Sequence, residues 1–206
     1  MVYLLEPVNR TYDPEEPMPT PLGFTAPALF YKGANKLKRE FKPVPANLVH
    51  RRMEIGGGQL MPDFFSTQDA YFFVSSRFRS VLEKYTPDQI EYIELEPAIP
   101  PHKKPADAYY FINVLGRSQL MNWEFTPKKK TLQVYFWDGP PETWVMNTPP
   151  PGHVAIWHET HRIEKNVKFC GQGTAVFVTD ELGNALDAAF PGQCRLHRIR
   201  EMQAAY

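Results

Sequence analysis

The sequence predicts an α+β fold, mainly antiparallel sheet with a few helices, two of them in related helix–strand units packed in one or two subdomains. Three observations carry that expectation. Residues Tyr71 to Pro97 read as a short apolar run, a capped amphipathic helix and a strand. Residues Ala175 to Glu201 repeat that plan without a gap about 104 residues later. Around both, short β-prone runs alternate with proline-rich loops, a pattern that suits sheet with a few helices and not a helical bundle.

In the first unit, Tyr71, Phe72, Phe73 and Val74 form the apolar run. Ser75 follows as an N-cap candidate, because its hydroxyl can accept a free N–H of the first turn. Phe78, Val81, Leu82 and Tyr85 recur at helical spacing and make one stripe, with Arg77, Arg79, Glu83 and Lys84 mostly opposite. Thr86-Pro87-Asp88 ends the helix, since proline cannot continue the ladder and pushes its predecessor out of the α region. Ile90, Tyr92, Ile93 and Leu95 then read as a strand. In the second unit, Val176-Phe177-Val178 precedes the cap candidate Thr179. Asp180 and Glu181 put negative charge where the helix dipole favours it. Leu182, Ala185, Leu186 and Ala189 form the stripe, Pro191-Gly192 breaks it, and Cys194, Leu196 and Ile199 suggest a closing strand. Two copies are too few for a solenoid, which needs at least about three.

The remaining elements follow in order. Val2 to Pro7 is a first strand. Asn9 to Pro27 carries Pro14, Pro17, Pro19, Pro21 and Pro27 and reads as an extended arm on its own domain. Ala34 to Phe41 supplies one or two helical turns, and Lys36, Lys38, Arg39, Lys42, Arg51 and Arg52 form a basic, solvated region. Gly56-Gly57-Gly58 is a turn and lacks the Lys-Ser/Thr of a phosphate loop. Pro62-Asp63-Phe64-Phe65 leads into the first helix, and Pro97 to Pro105 is a linker. Ala108 to Leu115 is the best candidate for a fully buried strand. Trp123 to Thr126 and Thr131 to Trp137 read as strands flanking a basic turn, Lys128-Lys129-Lys130. Val154 to Trp157 and Thr160 to Ile163 are short strands. Residues 1–60 then form a proline-rich arm and strand packed on a main domain of residues 61–206, which holds the two units at about 71–97 and 175–201.

A chain of 206 residues, 43% hydrophobic, fits one large domain or two small ones. Lys+Arg and Asp+Glu each number 23, and the resulting zero net charge argues against nucleic acid as the main partner. The 21 prolines sit in clusters and read as stiff loops. Cys170 and Cys194 are expected as reduced, semi-buried thiols. The start, MVYLLEPVNR, lacks a basic region and a long apolar core, and no run approaches the roughly 18 apolar residues of a membrane span. The expectation is a cytoplasmic protein without a membrane partner.

Catalytic motifs are missing. His153, His158 and His161 lie in HVAIWHETH, but the spacing is wrong for the zinc-protease pattern. On a strand, His158 and His161 point to opposite faces; surface or loop histidines are expected. Gly171 and Gly173 lack the third glycine of a dinucleotide fingerprint. Ser66, Ser75, Ser76 and Ser118 sit in no nucleophile motif, and Glu94 and Glu96 suit one solvated strand face. No catalytic residue, metal ligand or cofactor is expected.

Several of these stretches resemble one family. Phe73-Val74-Ser75-Ser76-Arg77-Phe78-Arg79-Ser80-Val81-Leu82-Glu83 is similar to its "VVSERLRDLLE" helix start, Pro62-Asp63-Phe64-Phe65 to the "PDFL" before it, and Tyr109-Tyr110-Phe111-Ile112-Asn113 to its "YYVLN" strand. His161-Arg162-Ile163 and Val176 to Leu186 resemble its closing unit. The family is the bacterial immunity proteins of polymorphic-toxin systems, of the kind numbered eleven, and the resemblance covers roughly residues 60–200. The second copy departs from it: no basic residue follows Thr179-Asp180-Glu181-Leu182, and Cys194-Arg195-Leu196 replaces a glycine-plus-aromatic ending. The resemblance implies a non-enzymatic, cytoplasmic protein that binds a cognate toxin, with a nuclease as leading candidate, and a homodimer is compatible with it. The other classes are a small hydrolase or nucleotide-modifying enzyme assembled around the three histidines, and an adaptor of a secretion apparatus. A large secreted-toxin gene directly alongside distinguishes the first class.

Tight interfaces centre on a few large desolvated anchors, most often Trp, Tyr and Arg. Trp137, Trp144 and Trp157 fall within about 20 residues, among Asp138, Glu142 and proline loops. The expected partner-binding residues are Trp144, Glu142, Asp138 and Trp137. Trp144, between two proline loops, is expected to be exposed; Trp157, and alternatively Trp137, suit a core strand.

Overall fold

The computed structural model describes residues 1–7, 37, 42–49, 51–54, 62–66, 71–98, 108–131, 134–160 and 175–203. Their order is β1 (Val2–Pro7), β2 (Arg52–Glu54), β3 (Phe64–Ser66), β4 (Phe72–Ser75), α1 (Ser76–Tyr85), β5 (Ile90–Glu94), β6 (Glu96–Ala98), β7 (Tyr109–Val114), β8 (Arg117–Ser118), β9 (Lys128–Thr131), β10 (Val134–Trp137), β11 (Val145–Asn147), β12 (Ile156–Glu159), β13 (Val176–Thr179), α2 (Asp180–Ala189) and β14 (Cys194–Met202). Short 3-10 turns cover Ala46–Leu48 and Pro141–Thr143. This is the α+β fold the sequence predicts.

Two sheets organise the molecule: a four-stranded one, β3-β4-β7-β5, and a six-stranded one, β11-β14-β1-β13-β12-β8. The repeat is real and larger than the sequence shows. Phe72–Ser75 and Val176–Thr179, Ser76–Tyr85 and Asp180–Ala189, and the strand starts Ile90 and Cys194 all keep an offset of 104. Each unit also has a leading strand, β3 or β12, antiparallel to the strand before its helix. Each has a central strand as well. β7 lies between β4 and β5, and β1, from the opposite end of the chain, lies in the same place between β13 and β14. Tyr109 faces Ser75 as Val2 faces Thr179, and the Ser76 N–H reaches Ala108 O as the Asp180 N–H reaches Met1 O.

The apolar runs explain the layering. β4, β7 and β13 are buried on both faces, as the continuous run Ala108 to Leu115 suggests. Their inward residues, including Val74, Ile112 and Val178, form a central core with both helices through Phe78, Leu82, Leu182 and Leu186. Phe78 and Phe190 meet there with ring centroids 4.8 Å apart. Alternate residues face outward into two flanking clusters. Phe65, Phe73 and Phe111 lie under Val44 and Val49, whereas Leu4, Trp157 and Phe177 lie under Met121, Trp123 and Trp144.

The caps differ. Ser75 Oγ accepts the Phe78 N–H at 3.2 Å, as predicted, but the Thr179 hydroxyl makes no capping bond. Three further expectations are corrected. Phe64-Phe65 is part of a strand paired with β4, because its alternate rings feed the central and an outer cluster. Residues 123–126 form a turn, while the expected basic turn is itself a strand, β9, paired with β10. Lysine on an edge strand blunts it against further pairing, and tertiary pairing overrides the turn-like composition. Gly56 to Gly58, Cys170, most of the arm at 9–27 and most of the expected helical turn at 34–41 lie outside the described residues; Leu37 within that turn is helical.

Candidate partner-binding site

The expected site falls on the turn after β10. Gly139 takes φ 72°, a left-handed conformation that glycine adopts without strain. Pro140 and Pro141 then set up the 3-10 turn, closed by the Thr143 N–H and hydroxyl, both donating to Pro140 O at 2.9 and 2.7 Å. The Trp144 indole N–H donates back to Asp138 O and Gly139 O at 3.1 and 3.2 Å.

That bond corrects the expectation for Trp144. It is only 7% exposed, and its ring meets Phe177 edge-on at 6.5 Å. The ring is a peg that fixes the turn to the outer face of the six-stranded sheet. A tryptophan between two proline loops reads as exposed only until the sheet beneath it is known. Trp157 is fully buried in the same cluster. The backbone of Trp137 is in β10, opposite Lys128; its side chain lies outside the described residues.

Asp138 and Glu142 are exposed on the fixed turn. Glu142 is tied to the sheet: His197 Nδ1 lies 3.2 Å from its Oε1, and His197 Nε2 lies 3.4 Å from Glu6 Oε2. The buried Glu6 carboxylate is the main influence raising the imidazole pKa, with Glu142 adding to it. Glu142 is lowered first by its own backbone N–H and then by His197. Sequence reading missed this trio. Glu6 and His197 sit at opposite ends of the chain and meet only because β1 and β14 are neighbours.

One concavity adjoins the turn, and a second adjoins the first. A cleft of about 430 Å³ lies between Glu142, Arg198, Arg200 and Glu201. A larger groove of about 1050 Å³ shares Met1 and Glu201 with it and runs between the start of α2 and the loop of Pro149 and Pro150.

The histidines separate. His158 is buried, correcting the expectation of a surface residue, and its Nδ1–H donates to Ala175 O at 2.7 Å. Its neighbours Trp157 and Glu159 are buried too, because both faces of β12 are covered. His153 donates from Nδ1 to Val154 O at 2.9 Å, which leaves Nε2 to accept from the Ser118 hydroxyl at 2.8 Å. His161 lies outside the described residues. Glu159 accepts from Leu120 N, Met121 N and the Trp157 indole, and burial raises its pKa. Among the described residues, no three His, Cys, Asp or Glu side chains group as a metal site. Of the basic region, Arg51 is engaged by Glu96 at 3.2 Å and by Glu94 O at 2.8 Å. No described helix is long and apolar enough to cross a membrane.

The sequence model described as immunity protein family (Imm11) matches residues 3–118. That span runs from β1 through the whole first unit to β8. No curated protein matches the chain.

Proposed function

The chain belongs to the Imm11 immunity protein family, and from that premise we propose that it binds a cognate antibacterial toxin and neutralises it by occlusion, without turnover. The family match carries this reading. The contact surface is centred on the turn of Asp138 and Glu142, with Trp144 as the peg beneath it and Trp137 on the adjoining strand. A turn held by two prolines and an indole N–H keeps its shape before binding, which lowers the ordering cost of association. The carboxylates of Asp138 and Glu142 suit a basic nuclease surface and speed encounter with it. Such a toxin acts in the cytoplasm, and its antidote works there.

The test is co-purification and calorimetric titration with the toxin polypeptide encoded beside this gene. Binding by the wild-type chain, weakened about tenfold or more in Glu142→Lys, is the expected result. No association with that polypeptide removes the proposal, and wild-type affinity in Glu142→Lys moves the surface elsewhere.

One observation favours a hydrolase instead: the Ser118 hydroxyl lies 2.8 Å from His153 Nε2, and the other ring nitrogen is held by Val154 O. Hydrolysis of an activated ester, lost in Ser118→Ala, would establish that second reading. Equal rates in the two proteins dispose of it.

A further inference from the structure

The two units share one plan and differ at a matched contact before their leading strands. In the first, Asp63 stands immediately before β3. Its carbonyl accepts the Ser75 N–H at 2.9 Å, and its own N–H donates to Gln193 Oε1 at 2.6 Å. In the second, Ala155 stands immediately before β12. Its carbonyl accepts the Thr179 N–H at 3.0 Å, and its N–H donates to Gln89 Oε1 at 2.9 Å. The backbones are equivalent bond for bond, but the side chains are not. The Asp63 carboxylate takes Arg77 Nη2 at 2.9 Å, Gln193 Nε2 at 3.1 Å and the Ser75 hydroxyl. At the matching positions the second unit has Ala155 for Asp63 and Glu181 for Arg77.

The Asp63–Arg77 ion pair of the first unit has no counterpart in the second, where Ala155 and Glu181 are among the walls of the groove of about 1050 Å³. Its described lining holds three carboxylates, Asp180, Glu181 and Glu201, and no lysine or arginine. Glu201 meets the Met1 amino group at 3.2 Å, and Asp180 engages the Tyr3 hydroxyl. Glu181 is exposed and, among the described residues, has neither a hydrogen bond nor an ion pair. The helix dipole accounts for acidic residues in a first turn. It does not account for the gap at Ala155, where the other unit places a charged partner.

We infer that this groove docks the cognate toxin, and that the toxin supplies an arginine or lysine side chain to Glu181, completing with signs exchanged the contact that Asp63 and Arg77 make in the first unit. The inference rests on the toxin-binding reading and extends its surface from Glu142 across Met1 and Glu201, which line both concavities. A single exposed ion pair contributes little; removing one partner of a pair covered by an interface weakens binding because the other charge is left buried and unpaired.

The test titrates the toxin polypeptide encoded beside this gene into the full chain by calorimetry. Three proteins are compared: wild type, Glu181→Arg, and the double variant Ala155→Asp/Glu181→Arg. The double variant writes the Asp–Arg contact of the first unit into the second, with Gln89 placed to donate to the new carboxylate. Urea midpoints confirm folding. The expected result is wild-type binding that weakens with added salt, with Kd raised about tenfold or more in both variants. Wild-type affinity in both folded variants overturns the groove while leaving the toxin-binding reading intact. Absence of binding by the wild type overturns both. If Glu181→Arg does not fold, Glu181→Gln takes its place: loss of the salt dependence together with weaker binding supports the groove, and unchanged affinity overturns it.

Discussion

Gln89 and Gln193 are matched residues that each reach from one unit into the other. Gln89 Oε1 accepts the N–H groups of Ala155 and Ile156 at 2.9 and 3.3 Å, while Gln193 accepts that of Asp63 and returns a bond to its carboxylate. Both amides satisfy main-chain donors at the head of a leading strand, so the seam between the units is bonded at both ends. Gln89→Ala and Gln193→Ala should each destabilise by about 1–3 kcal/mol, since each leaves a partly buried donor unmet. The pair should add within about 0.5 kcal/mol. Unchanged urea midpoints in both single variants would show that the seam does not depend on them.

The two helix starts should respond differently to the same change. Ser75→Ala removes a capping bond and a bond to Asp63, and should cost about 0.5–2 kcal/mol. Thr179 caps with its backbone alone, so Thr179→Ala should leave the urea midpoint nearly in place. Equal losses would refute this assignment.

The turns that end the helices also match. Asp88 and Gly192 both take positive φ, 60° and 74°. Space around Gly192 is open, so Gly192→Ala meets only backbone strain, about 1–2 kcal/mol. At Asp88, relief of that strain in Asp88→Gly is offset by the greater freedom of the unfolded chain, and the net effect should lie within about 0.5 kcal/mol of zero. Thermal melts of the two variants check the contrast; a stable Gly192→Ala protein would contradict it.

Trp144 and Glu142 sit two residues apart and should behave as opposites. Trp144→Ala empties a filled site against Phe177 and frees the turn, a loss of about 3–5 kcal/mol. Glu142→Lys changes an exposed side chain and should leave the fold stable. A Trp144→Ala protein with wild-type stability would mean that the ring is not the peg.

The Glu6–His197–Glu142 link predicts a pH dependence. A histidine whose folded pKa is raised stabilises fully below its ordinary 6.5, and that contribution is lost as pH rises through the folded value. Glu142, lowered from 4.5, contributes above 4.5 and loses its contribution as pH falls through the folded value. The link is complete between about pH 4.5 and 6.5. Stability should therefore fall as pH rises above about 6.5 more in wild type than in His197→Gln. Parallel pH profiles of the urea midpoint would exclude the link.

Much of the fold is legible in residue order because the signals are local. Helical spacing of Phe78, Val81, Leu82 and Tyr85, the break at Pro87 and its match at Pro191, and the gapless offset between the units all follow from short-range chemistry. So does the burial of Tyr109–Val114, whose residues are nearly all apolar. The site was less legible. Asp138 and Glu142 are where a proline-rich turn exposes them, but Trp144 is not. Glu181 could have been found by asking where the gapless alignment reverses charge, since Arg77 stands at its counterpart.

Residue order alone settles the two amphipathic helices, the strands that flank them and the apolar faces they carry, since each depends on residues within about one or two turns of one another. What covers those faces is set by the fold as a whole. The fold placed Val2–Pro7 between β13 and β14, joined Glu6 to His197, seated Trp144 on Phe177 and set Ala155 where the first unit has Asp63. Such meetings depend on strand register and sheet order, and a strand's side-chain pattern states which residues share a face without stating which distant segment will lie against it.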